Sequence, residues 1–85
     1  METVIVERSF EEKVTKEMLD ELSGKAAGCF EMHNVVWIRS FVSRDGKRML
    51  CLYEAPDAES VRASQKLAQF PFDRIYMADG YTPPA

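Results

Sequence analysis

The residues that could do chemistry lie on two short apolar runs in the middle of the chain. Trp37 and Arg39 alternate along Val35–Ser43, and Cys51 and Tyr53 alternate along Arg48–Glu54. In strands, alternate residues share a face. Glu7 and Tyr76 sit in two outer apolar runs and complete a candidate ligand-binding set of Glu7, Trp37, Arg39, Cys51, Tyr53 and Tyr76. A thiol close to Arg39 or Arg74 could be a nucleophile or a soft-metal ligand, whereas a buried free cysteine is otherwise a small hydrophobe. Glu7 could act as a general base or a ligand if buried and unpaired; paired with an arginine it is structural. His33, the single histidine, is placed at the end of a helix, where the dipole favours a cation. The candidate metal donors are Glu7, Cys51 and His33. With no CxxC, HxxxH or histidine cluster, they would need further donors from a partner subunit. A Ser-His-Asp set cannot be built without His33, and no glycine-rich phosphate loop is present.

Four strands and two helices must position these groups. Thr3–Ser9 is β-branched and reads as the first strand. Val14, Met18, Leu22 and Ala26 recur every fourth residue, so the spacing predicts a helix from near Thr15 to about Met32. Ser9 with Glu12 is an alternative, earlier capping box. Asn34 can take the left-handed position that ends the helix. Arg44-Asp45-Gly46-Lys47 between two apolar runs predicts a hairpin with positive φ at both central residues. Pro56 ends the third strand, and Asp57 is the N-cap of a second helix reaching about Gln69. Pro71 precedes a last strand over Phe72–Ala78. The order β-α-β-β-α-β predicts an α+β, ferredoxin-like sandwich with a four-stranded antiparallel sheet and both helices on one face. Residues 1–81 form a single domain, and 82–85 form a C-terminal tail.

Alternation assigns Val4, Val6, Val36, Ile38, Val42, Leu50, Leu52, Ile75 and Met77 to the helix side. It assigns Ile5, Glu7, Val35, Trp37, Arg39, Phe41, Met49, Cys51, Tyr53, Arg74 and Tyr76 to the open side. That open set is too apolar for a monomer surface and too polar for a second core. Two readings follow: a homodimer interface with paired charges, or the same packing enclosing a cavity with polar groups on its wall.

At 85 residues the chain holds one core, and oligomerisation is a common support at this size. Apolar residues are 46% and charged residues 29%, as in an ordinary globular domain. The net charge is −3 with no basic stripe, which argues against nucleic acid. No signal peptide or membrane span is read, so a cytoplasmic location is expected, with Cys29 and Cys51 as free thiols.

The central segment, VxWIRSFVSRDGKRMLCLYEAPDAESVR followed by FPFDRIYMA, resembles a small bacterial family, domain of unknown function 4242. The likeness covers strand 1 through strand 4. It rests on the SxVSxDG hairpin, the CxYEAPDAExVR step into helix 2 and the PFDR entry to the last strand. The resemblance implies a dimeric α+β protein that binds nickel or another divalent transition metal. Cys51 and Glu54 match the CxYEAPDA motif. Many members carry histidine soon after the Val-Arg pair of helix 2, where this chain has Ala63-Ser64-Gln65-Lys66. Three functions stay open: a homodimer that binds a metal or small ligand at the open sheet face, a small enzyme of the dimeric α+β barrel type (an isomerase or cofactor-independent oxygenase), and a structural or regulatory interaction module.

Overall fold

A computed structural model describes all 85 residues. Chain order is β1 (Glu2–Ser9), α1 (Lys16–Met32), β2 (Val36–Val42), β3 (Arg48–Ala55), α2 (Ala58–Leu67) and β4 (Arg74–Ala78). The strands form one antiparallel sheet in the order β2-β3-β1-β4, with β2 and β4 at its edges. This is the ferredoxin-like sandwich that the element order implies.

The caps work as the residue types demand. Thr15 accepts from the Met18 N–H at 3.2 Å and starts α1; the Ser9–Glu12 alternative does not. Asp57 accepts from the Ser60 N–H at 2.7 Å, which holds its carboxyl below the usual range. Asn34 ends α1 at φ 59°, and Gln69 plays the same part after α2 at φ 56°. In the hairpin loop only Gly46 is left-handed, at φ 74°. Positive φ at Asp45 is therefore corrected. Asp45 instead accepts from Ser43 Oγ at 2.6 Å and the Lys47 N–H at 3.0 Å within the loop between β2 and β3. That loop also anchors the segment before α1, through Phe10 N–H to Lys47 O and Val14 N–H to Gly46 O, each 2.8 Å.

Both helices cover one face. Ala26 and Phe30 of α1 and Val61 of α2 pack on Val4, Val6, Met49, Cys51, Tyr53 and Ala55. Burying aliphatic and aromatic area here, at about 25 cal/mol per Å², is the main drive to fold. The sequence-based faces hold for β1 and β4 and fail in two places. In β3, Met49, Cys51 and Tyr53 point inward, because they pair with Arg8, Val6 and Val4. Leu50 and Leu52 pair with Glu7 and Ile5 on the open side. In β2, a bulge between Trp37 and Arg39 makes Ile38 an extra residue. It reverses the parity upstream, so Trp37 turns inward and Val36 outward, while Arg39 and Phe41 keep the open side.

Replacing Gly46 tests the loop. An added Cβ would press on the Lys13 side chain and force a left-handed φ on a chiral residue. Gly46→Ala should lower stability by about 1–2 kcal/mol in urea unfolding.

Candidate functional site

The sheet gathers the sequence-predicted residues into two sites, one on each face. Register lays out the open face as three rows. Val36, Glu54, Thr3 and Ala78 form one; Arg39, Leu52, Ile5 and Tyr76 the next; Phe41, Leu50, Glu7 and Arg74 the third. Glu7 and Arg74 are therefore direct cross-strand neighbours, and Tyr76 is Glu7's diagonal neighbour. Arg74 Nη2 donates to Glu7 Oε1 at 2.8 Å, and the Tyr76 hydroxyl donates to Glu7 Oε2. The Tyr76 hydrogen bond and then the Arg74 pairing hold the Glu7 carboxyl below its usual range. The same contacts raise Arg74 and Tyr76. Glu7 is thus an ion-paired carboxylate with both oxygens engaged, which makes it a weak base.

The second site is on the helix side. Its centre is Arg8, absent from the sequence-based candidates and only 2% exposed. Arg8 Nη2 donates to Gln65 Oε1 at 3.0 Å, Tyr53 Oη at 3.2 Å and Cys51 Sγ at 3.7 Å. Nη1 donates to Pro71 O at 3.1 Å, and the guanidinium carbon lies 3.5 Å from the centre of the Phe70 ring. No carboxylate pairs with it; the ion pairs are Lys16–Asp20, Arg62–Glu59 and Arg74–Glu7. Burial, then the neighbouring Cys51, pushes the Tyr53 phenol up, so it remains neutral. Trp37 packs against Phe30, Tyr53 and Phe70 at centroid distances of 6.0, 5.8 and 6.0 Å. The signal for Arg8 was present in the sequence: Val4 and Val6 point inward, and one more step of alternation brings Arg8 in behind them. Gln65, one helical turn after the buried Val61, is legible in the same way.

So Trp37, Cys51 and Tyr53 line the helix side, while Glu7, Arg39 and Tyr76 line the open side. The expected single cluster of all six is corrected to this division, caused by the β2 bulge and the β3 register. His33 caps α1 and joins neither site. A groove of about 820 Å³ runs between α1 and β2, lined by Leu19, Ala27, Phe30, Trp37, Ile38 and Ser40 among others.

A family model described as "Nickel responsive protein SCO4226-like" matches residues 5–77. The chain belongs to this family. Among solved structures, it is similar to SCO4226 from Streptomyces coelicolor A3(2), with a TM-score of 0.84 at 18% identity. The match covers 94% of this chain and 99% of that one, and at this identity it speaks for the shared fold. No curated protein matches the chain.

The family's description raises the question of a nickel site. The donors within this subunit do not fit one. No group of three or more His, Cys, Asp or Glu side chains converges. Glu7 is held by Arg74 and Tyr76, Cys51 lies on the opposite face beside a buried cation, and His33 is at a helix end.

Acid stability should report the Glu7 contact. Its folded pKa lies below the unfolded value, so its contribution is present above the unfolded pKa and is lost as pH falls through the folded one. Glu7→Gln should flatten the stability change below about pH 5, read by urea unfolding across pH.

Proposed function

We propose that this SCO4226-like chain is a small-ligand-binding homodimer whose open sheet faces meet. The observation that carries the reading is the uncovered apolar surface that runs from the β2 edge across that face. Phe41 is 61% exposed and Val36 50%, and half-buried Ile5, Leu50 and Leu52 lie between them and Tyr76. Covering such a patch is the usual reason for a sheet to dimerise face to face. A two-fold contact is closed, each copy offering the other the same surface.

The charges on this face favour an anionic organic ligand over a bare metal ion. Arg39, Arg48 and Arg74 share it with Glu7 and Glu54, and Glu7 is already neutralised by Arg74. Arg39 has no carboxylate partner within the subunit. A chamber made by two such faces has apolar walls and spare guanidinium groups, a setting that suits a carboxylate or phosphate group. Binding is favoured over catalysis because Glu7, the carboxylate at the centre of the face, is held ionised and hydrogen-bonded.

Sedimentation of the wild type should give a dimer, and Leu52→Arg should give a folded monomer. A wild-type monomer at tens of micromolar would sink the reading. Nickel titration by calorimetry should give no stoichiometric heat. Stoichiometric uptake that disappears in Glu7→Gln would replace the anion with a metal.

A further inference from the structure

The bulge in β2 falls between the chain's one tryptophan and an arginine without an ion-pair partner. In a regular strand Trp37 and Arg39 would share a face. The surplus Ile38 turns Trp37 toward the helix side and leaves Arg39 on the other side of the same edge strand. Bulges re-aim side chains and are frequent next to active sites. This one makes Trp37 and Ile38 a wall of the α1/β2 groove, with Arg39 at its border. The aromatic part of the wall is set in advance. The Trp37 indole N–H donates to Ser40 Oγ at 2.7 Å, and the ring meets Phe30 edge-on at 6.0 Å, with 73° between the planes. Ile38 is 47% exposed to the opening. From α1, Ser23 and Ala27 line the groove; both are exposed and too small to close it. A volume of about 820 Å³ lies within the range of small-molecule sites, about 300–1,000 Å³.

Three charged side chains line this groove, Asp20, Glu31 and Arg39. Asp20 is held by Lys16 at 2.8 Å. Glu31 and Arg39 have no ion-pair partner, in each other or elsewhere in the subunit. Glu31 sits in the last turn of α1, which carries no basic residue. The helix dipole favours a cation at that end, and the Glu31 carboxylate adds to the attraction. A bare anion would leave Glu31 unanswered, and a bare amine would leave Arg39 unanswered. We infer that the groove binds a zwitterionic small molecule with an apolar body, of which a free aromatic amino acid is the simplest case. Arg39 meets the carboxylate, Glu31 and the end of α1 meet the ammonium, and the ring lies against Trp37 and Phe30. The site goes beyond the open-face reading. Its whole wall comes from one subunit, so it does not depend on whether two open faces meet.

The experiment follows Trp37 fluorescence of the full chain during titration with L-phenylalanine, 3-phenylpropionate and phenethylamine. The three probes share a ring; the second lacks the ammonium and the third lacks the carboxylate. Phenylalanine should bind saturably and about two- to fivefold more tightly than either of the others, the scale of one solvent-exposed ion pair. Arg39→Gln should remove its advantage over phenethylamine, and Glu31→Gln its advantage over 3-phenylpropionate. Ala27→Phe fills the groove from an exposed position, and should abolish binding of all three with an unchanged circular dichroism spectrum. Three results would each overturn the inference: no saturable response to phenylalanine, an affinity for either singly charged probe that equals it, or wild-type binding in Ala27→Phe.

Discussion

The structure depends on a cation buried without an anion. Removing a guanidinium from water costs several kcal/mol even after relaxation. Here that cost is offset by a ring of neutral acceptors and by the face of Phe70. The acceptors come from β3, α2 and the segment that leads into β4, so the side chain of one β1 residue ties together elements far apart in sequence. The polar residues in the core follow from this. Gln65 and Tyr53 look misplaced among Val4, Val61 and Phe70 until the charge between them is seen. An apolar residue at either position would leave the guanidinium short of a partner, and a carboxylate there would turn the ring into a buried ion pair.

The same side chain marks the division of labour between the two faces. On the helix side, the charge is sealed, and its surroundings are aromatic and sulfur-bearing. On the open side, Glu7 and Arg74 meet where water reaches them, with Tyr76 completing the contact. Neighbours in sequence, Glu7 and Arg8 thus serve opposite surfaces of one strand. The family's description points toward metal, but Glu7 and Cys51 lie on opposite surfaces and are already engaged, and His33 stands at a helix end apart from both. The open face carries Arg39, Arg48 and Arg74 against Glu7 and Glu54.

Much of this was legible in the sequence, and the exceptions have a common cause. β1 and β4 alternate clearly enough to fix their faces. β3 does not: Met49, Cys51 and Tyr53 are nearly as apolar as Leu50 and Leu52, so pattern alone cannot choose between the two orientations. What chooses is pairing with β1, where Val4 and Val6 select Tyr53 and Cys51 as neighbours. That information is nonlocal. The bulge at Ile38 is also invisible to a strict two-residue period, and it carried Trp37 to the other side. Helix starts were read correctly because Thr15 and Asp57 act through contacts only three residues long.

The bulge has a further consequence for how copies of the chain can meet. β2 is a sheet edge, and a regular edge offers its free N–H and C=O groups to any passing strand. Adding a residue at Ile38 breaks the spacing of those groups and increases the local twist, so another edge cannot run along it in register. Pairing of one edge with the other edge of a second copy is open-ended, whereas a two-fold contact stops at two. One surplus residue thus works against open-ended strand pairing along the β2 edge.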